Sequence, residues 1–278
     1  MRILITGATG QLGTELQKLL EKKDVTVDAY GSKQLDITDK KAVQKYFAEN
    51  HPDIVYHCAA YTAVDKAEKE AKKLDEMINV EGTQNVAEAC KEYDATMYYV
   101  STDYVFSGDR IAGEYLPTDP TGPVNEYGRT KLLGEKIVEK TLNKYYIIRT
   151  SWVYAKSGSN FVYTMLRLAE NHSEISVVSD QVGRPTWART LAKFMIYLTD
   201  NNCPYGIYQC SDDGEASWYD FACEILKNKN VKVIPIDTKD YPTPAQRPLR
   251  TVMKLSKDTG FDFPNWKKSL AEFMKEIK

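Results

Sequence analysis

The sequence predicts an α/β fold, a doubly wound parallel sheet with a smaller C-terminal unit, and three observations predict it. Short apolar runs alternate with amphipathic stretches through the first half; a glycine-rich turn joins the first run to the first amphipathic stretch; and this rhythm breaks near Ala155. With 278 residues, 42% of them hydrophobic, the chain has apolar material for one large domain and a smaller partner.

The elements follow in order. "RILIT" is an unbroken apolar run, as in a strand buried on both faces, and "TELQKLLEK" carries the helical period. The alternation continues through strand "VTVDAY", helix "KAVQKYFAEN", strand "DIVYHCAA", helix "GTQNVAEACKEY", strand "TMYYVST", helix "TKLLGEKIVEKT" and strand "YYIIRTSWVY". Residues 1–155 therefore read as the parallel-sheet domain. In residues 156–278 the pieces "SDQVGRPTW", "SDDGEASWYDF" and "YPTPAQRPLR" are rich in proline, glycine and tryptophan, which suits loops around a ligand or a substrate-binding subdomain. The helical pattern "RTLAKFMIYLTD" and the run "GIYQCSD" suit a return to the main sheet near residues 186–212, which would make the second unit discontinuous.

The formal charge of -2 argues against a general binder of nucleic acid or membrane surfaces, which needs a cationic excess. Five scattered cysteines without a C-x-x-C pair read neither as a zinc site nor as a disulfide framework. The N-terminus runs straight into a strand pattern, and no run approaches the ~18 apolar residues of a membrane span. The expectation is a soluble, cytoplasmic protein.

"RILITGATGQLGTELQKLL" sets Gly7, Gly10 and Gly13 between strand and helix, the order a dinucleotide pyrophosphate needs. Gly7 permits the turn, Gly10 admits the backbone to the phosphates, and Gly13 lets helix pack on strand, while free N–H groups and the helix dipole hold the anion. A site selective for NAD places an acid at the end of the second strand, for the ribose 2′-hydroxyl. Here "VTVDAYGSKQLD" ends in Tyr30, Gly31, Ser32 and Lys33, with Asp28 the only acid inside the run. Ser32 and Lys33 suit a 2′-phosphate, so NADPH is the expected cofactor and NADH the alternative; Lys33 reads equally as a solvated loop lysine. Asp36 either caps the next helix or hydrogen-bonds the adenine, whereas Asp39, directly before "KKAVQKYF", reads as a cap.

"TMYYVSTDYVFSG" ends its apolar run in Ser101, Thr102 and Asp103. Ligands of open parallel sheets lie beyond the carboxyl ends of the strands, which places Thr102 to hydrogen-bond a substrate carbonyl; by itself such a threonine is more often a turn residue. Further on, Tyr127 and Lys131 stand four apart in "YGRTK", on one face of a helix begun by Gly128. Alone, that string is weak in a chain with 37 Lys and Arg. In combination with the cradle and Thr102, it resembles the extended short-chain dehydrogenase/reductase superfamily.

Within that superfamily, "STDYVFSG", "YGRTKLLGE", "RTSWVY" and "DQVGRPT" are similar to the dTDP-4-dehydrorhamnose reductases, and the resemblance runs from Met1 to about Leu249. It implies a Rossmann-type fold and reduction of the C4 ketone of dTDP-4-dehydro-L-rhamnose to dTDP-L-rhamnose, with NADPH or NADH as hydride donor. Hydride arriving at a ketone carbon leaves charge on oxygen, which must receive a proton. The resemblance gives that role to Tyr127. Lys131 would lower the phenol from its ordinary pKa of about 10 and hold the nicotinamide ribose, and Thr102 would hold the carbonyl oxygen.

Carried over residue by residue, the resemblance implies pyrophosphate contacts from Gly7, Gly10, Gln11, Leu12 and Gly13, with Asp36 and Ile37 near the adenine. Ala59, Ala60 and Tyr61 of "HCAAYT" would line the cofactor, and Asn79 either supports the site or bonds backbone. Asp103 and Trp152 match substrate-contacting positions, Trp152 reading otherwise as core. Arg184, Arg189 and Arg247 are candidates for the substrate's pyrophosphate, each reading singly as a surface arginine, and "AQRPLR" is the weakest match. Some members bind magnesium between subunits through a first-helix glutamate and later acids; Glu15 is present, but Ala188, Arg189 and Thr190 replace those acids, so no metal is expected. The expected partner is a dTDP-linked 4-keto-6-deoxy sugar, the expected state a monomer or homodimer. Two other functions fit the pattern: a reductase of another nucleotide-linked keto sugar, and a non-catalytic NADP-binding regulatory subunit. An intact Thr102, Tyr127 and Lys131 argue against the latter.

Overall fold

Each long apolar run of the first half becomes a strand of one sheet. The computed structural model, which describes residues 1–277, has β1 (Arg2–Thr6), β2 (Thr26–Tyr30), β3 (Ile54–His57), β4 (Thr96–Thr102) and β5 (Tyr145–Thr150), with Gly206–Gln209 completing six parallel strands. In space the order is Gly206–Gln209, β5, β4, β3, β1, β2. The chain thus leaves β1 for β2 on one side and returns as β3 on the other. Ligands of such sheets bind in the crevice this reversal opens at the strands' carboxyl ends.

Burial on both faces explains the unbroken apolar runs. Ile3 and Ile5 of β1 pack with α1 (Gln11–Leu20) and the helix Ala188–Asp200. Leu4, between them, points into the opposite layer with α2 (Lys40–Asn50) and the helices Thr83–Glu92 and Glu126–Thr141. Asp39 caps α2, accepting from Lys41 N at 2.9 Å and Ala42 N at 3.1 Å.

A second core lies beside this sheet. It joins a parallel pair of strands, Glu174–Val178 and Lys232–Ile236, to the helices Phe161–Leu168, Trp218–Leu226 and Trp266–Glu276 around Tyr154, Trp187, Phe221 and Phe273. Between the segments that build it, the chain contributes Ala188–Asp200 and Gly206–Gln209 to the main sheet. Among the described residues, no helix is long and apolar enough to cross a membrane.

The helix Glu126–Thr141 packs closely on the sheet at Gly134. Asn125 caps it, accepting from Gly128 N at 2.8 Å. A Cβ on Gly134 would stand 2.1 Å from the Tyr99 hydroxyl, so only glycine permits this approach to β4. Glu135 meets Arg149 of β5 in a bidentate pair at 2.9 and 2.8 Å, the side chains 1% and 3% exposed. Removing one partner leaves a buried charge alone, which costs about 3–5 kcal/mol. Glu135→Gln should therefore lower the unfolding free energy by about that amount in urea titrations. A loss under about 1 kcal/mol would show that the pair does not anchor the helix.

Candidate active site

Among the described residues, two of the concavities that face solvent are large enough to hold a ligand. The larger, of ≈ 960 Å³, follows the outer sheet edge between Glu114–Thr118, Tyr205–Tyr208 and Lys254–Thr259. The smaller, of ≈ 600 Å³, opens at the carboxyl ends of β3, β4 and β5 and is lined by Gly10, Gln11, Leu12, Ala60, Thr102, Asp103, Tyr127, Lys131 and Trp152. We assign the site to the smaller, because it brings phosphate-binding backbone and a potential proton donor together.

At its cofactor end the glycine turn is closed by close packing. Gly7 has φ +63°, and a Cβ there would stand 2.6 Å from Ala59 N; a Cβ on Gly13 would stand 2.6 Å from Gly7 O. Gly10 offers α1 no capping side chain, and the first turn holds no acid, so the helix's leading N–H groups suit an anion. Gln11 is oriented by Val153 O at 3.4 Å and by Asn160 at 3.2 Å. The turn after β2 abuts this cradle, Gly31 lying against Thr9, and leaves Ser32 and Lys33 exposed. Asp28 is unavailable to a ribose hydroxyl: Arg2 donates to it at 2.7 Å and Tyr46 at 2.6 Å. The residues present fit a dinucleotide and leave room for a 2′-phosphate.

Asp36 caps no helix; its Oδ1 accepts from Thr38 N at 2.9 Å and Thr38 Oγ1 at 2.8 Å, and Ile37 is buried against Gly82. Asn79 bonds backbone, gripping Tyr61 through its N–H at 2.9 Å and its carbonyl at 3.1 Å, which fixes the loop Ala59–Tyr61 beside the cleft.

At the reacting end, Thr102 closes β4 with extended backbone, accepts from Tyr104 N at 3.2 Å and donates to Asp103 Oδ1 at 3.1 Å. Thr251 donates to the other Asp103 oxygen from the C-terminal segment. Burial pushes the Asp103 carboxyl up to about 7, against the pull of Thr251 and Thr102. Lys131 is 3% exposed, and burial brings its ammonium down to about 7, against Glu135 and Asp75, which favour the charge. Its Nζ lies 4.0 Å from the centroid of the Tyr99 ring. His57 lines the cleft neutral, brought down to about 3 by burial and then by Lys131.

The expected lowering of the Tyr127 phenol by Lys131 does not arise in this ligand-free site, where the ammonium is itself brought down to about 7 and is lost before the phenol ionises. Enclosure pushes Tyr127 above its ordinary value, Asp103 and Asp75 add to the rise, and only the Thr102 hydroxyl opposes it. The ammonium is drawn to the Tyr99 ring and the carboxylates behind it.

Trp152 lines the cleft with φ +48°, a conformation uncommon outside glycine, and its ring stacks on Trp218 at 3.7 Å and 10°. Of the three arginines, only Arg247 lies near the mouth, paired with Asp65 at 2.9 Å and close enough to favour the phenolate of Tyr104. Arg184 is not brought to this cleft; it lines the larger cavity, pairing with Glu114 at 2.5 Å and Asp213 at 3.5 Å. Arg189 pairs with Glu15 at 2.8 Å and with Glu276, and does not line this cleft. Trp218, Tyr104 and Thr150 also line the cleft and were not singled out in the sequence. For Trp218 a signal existed, a tryptophan directly after the capping box at Ser217 in an irregular stretch.

Comparison with known proteins places this geometry in a family. The family model of the RmlD substrate binding domain matches residues 1–278. A dTDP-4-dehydrorhamnose reductase from Clostridium acetobutylicum superposes with a TM-score of 0.96 at 44% identity, over 100% of this chain and 99% of that one. A dTDP-4-dehydrorhamnose reductase from Bacillus anthracis, solved in complex with NADP, superposes at 0.93 with 41% identity over 99% of both chains. The spore coat polysaccharide biosynthesis protein SpsK of Bacillus subtilis is 39% identical over 99% of this chain and 97% of its own. With its whole length matched, the chain belongs to the RmlD substrate binding domain family, that of the dTDP-4-dehydrorhamnose reductases.

Proposed function

We propose that the protein reduces the C4 ketone of dTDP-4-dehydro-L-rhamnose to dTDP-L-rhamnose, with NADPH as cofactor and Tyr127 as proton donor. The observation that carries this is the meeting of Thr102, Tyr127 and Lys131 in one cleft whose other end is the glycine turn. The NADP held by the Bacillus anthracis relative supports the cofactor, as do the engaged Asp28 and the exposed Lys33. When bound, the reduced nicotinamide supplies hydride to the ketone carbon. Tyr127, held above its ordinary pKa, keeps its proton at neutral pH and delivers it as the carbonyl oxygen gains charge. Thr102 orients that oxygen, and Trp152 walls the sugar.

A second reading, reduction of another nucleotide-linked 4-keto sugar, draws on the Bacillus subtilis relative, whose name specifies a polysaccharide and not a sugar. An NADPH-oxidation assay over dTDP- and GDP-linked 4-keto sugars separates the two. With the best substrate, Tyr127→Phe should lower turnover by roughly two to four decades while NADPH still binds. Turnover near wild type would overturn the assignment of Tyr127, and no turnover with any sugar would favour a regulatory subunit.

The cofactor reading has its own test. Lys33→Ala should raise KM for NADPH about five-fold, the effect of one exposed charge contact near 1 kcal/mol, and leave KM for NADH unchanged. Equal effects on both would remove Lys33 from the 2′-phosphate.

The ammonium of Lys131 is lowered by burial and is lost as pH rises through about 7. Because kcat/KM reports the free enzyme, its profile should fall above neutrality with an apparent pKa near that value. A profile flat to about pH 9 would show that the Lys131 charge is not needed.

A further inference from the structure

Behind the Tyr127 and Lys131 pair lies an acid with no surface exposure. Asp75 is the last residue but one of the helix Lys72–Glu76, is 0% exposed, and stands just before a π-helical turn, Met77–Gly82. Such turns insert one residue into the helical ladder and often mark functional sites. Both carboxylate oxygens are used: Oδ1 accepts from Asn79 Nδ2 at 2.6 Å and Oδ2 from Thr130 Oγ1 at 2.9 Å. Asn79 grips the Tyr61 backbone, and Thr130 stands between Tyr127 and Lys131 on their helix, its hydroxyl 3.1 Å from Tyr127 O. One side chain therefore ties the loop beside the cofactor end to the helix at the reacting end.

The charge at position 75 calls for a separate reason. Both hydrogen bonds come from neutral donors, and asparagine would keep one of them without burying a charge, which is costly. The groups whose charge acts on Asp75 are Glu126, which opposes ionisation, and Lys131 and Arg129, which favour it. Arg129 is already paired with Glu126 at 2.6 Å and Glu76 at 3.4 Å. Lys131 faces Glu135 on its own helix, Cys58 and His57 from the segment of β3, the Tyr99 ring from β4, and Asp75. Glu135 gives both its oxygens to Arg149. Of the two carboxylates that act on Lys131, Asp75 is the one without a cation bound directly to it, and among the described residues no carboxylate is bound directly to Lys131.

We propose that Asp75 is a positioning residue whose buried carboxylate keeps Lys131 in its ammonium form and joins the loop Ala59–Tyr61 to the helix of Tyr127. The proposal rests on the reductase reading for its kinetic consequence, but not for its electrostatic one. Asp75→Asn removes the charge and keeps the shape. Without the carboxylate, Lys131 gives up its proton more readily, so the alkaline limb of kcat/KM should move down by roughly one pH unit. Carbon-13 NMR of the Lys131 side chain in the ligand-free protein should show the same downward shift, and KM for NADPH should rise as the loop loosens. Thr130→Val, which leaves Asp75 but removes a donor that stabilises its charge, should move both titrations in the same direction by less; it carries the test if Asp75→Asn fails to fold. A Lys131 titration unchanged in the folded variants overturns the proposal, whatever happens to the melting temperature. If Tyr127→Phe retains full turnover, the reductase reading falls, and the Lys131 titration still decides Asp75.

Discussion

The burial of one lysine organises this structure. Lys131 sits at 3% exposure in the second turn of its helix, where an ammonium is expensive and its proton is held only up to about pH 7. Glu135 and Asp75 favour the charge, and the helix lies close enough to β4 for the Tyr99 ring to stand 4.0 Å from the ammonium, while the Tyr99 hydroxyl donates to Lys131 O at 3.1 Å. That approach needs Gly134 against Tyr99 and is fastened by Glu135 to Arg149 of β5. The same contact sets Tyr127, one turn earlier, at the carboxyl end of β4 beside Thr102. The position of Tyr127 and the burial of Lys131 are thus one constraint.

The end of the cleft at Asp103 and Trp152 depends on chain distant in sequence. Asp103 is held by Thr251, 148 residues away, and Trp152 by Trp218 from the second core. A left-handed tryptophan costs backbone energy, of order 1–3 kcal/mol, unless its surroundings over-determine it. Here they do: one ring lies on Trp218, and Gly183 packs so closely that a Cβ there would stand 2.8 Å from the indole. The second core therefore does more than cover the sheet; it holds in place the residue that faces the cleft.

The residues whose roles follow from local geometry were legible in the sequence. The parallel sheet was readable from unbroken apolar runs, the glycine turn from three glycines evenly spaced, and the cap at Asp39 from its place before a helical pattern. Less legible was whatever depends on residues far apart. Arginine 184 looks the same in sequence whether it meets a phosphate or, as here, Glu114 and Asp213. The helix of Tyr127 misleads in another way. Its buried face carries Thr130, Lys131, Gly134 and Glu135, polar or small residues that periodicity assigns to solvent, because the partners that make their burial tolerable lie on β4, β5 and the turn near Asp75. Buried charge is paired across the fold, and a one-dimensional pattern cannot show the pairing.

The opposite shifts of Tyr127 and Lys131 bear on the direction of proton flow. A cleft that raises a phenol and lowers an ammonium favours the neutral form of both, so the resting site holds a protonated tyrosine rather than a phenolate. A phenolate at rest would suit removal of a proton from an alcohol. A phenol held high, beside a carboxylate at Asp103 that opposes its ionisation, retains its proton until a stronger base appears next to it. The oxygen of a ketone accepting hydride is such a base, since an alkoxide is far more basic than a phenolate. The electrostatics of the ligand-free cleft therefore keep the Tyr127 proton in place at rest, through burial and the charge of Asp103.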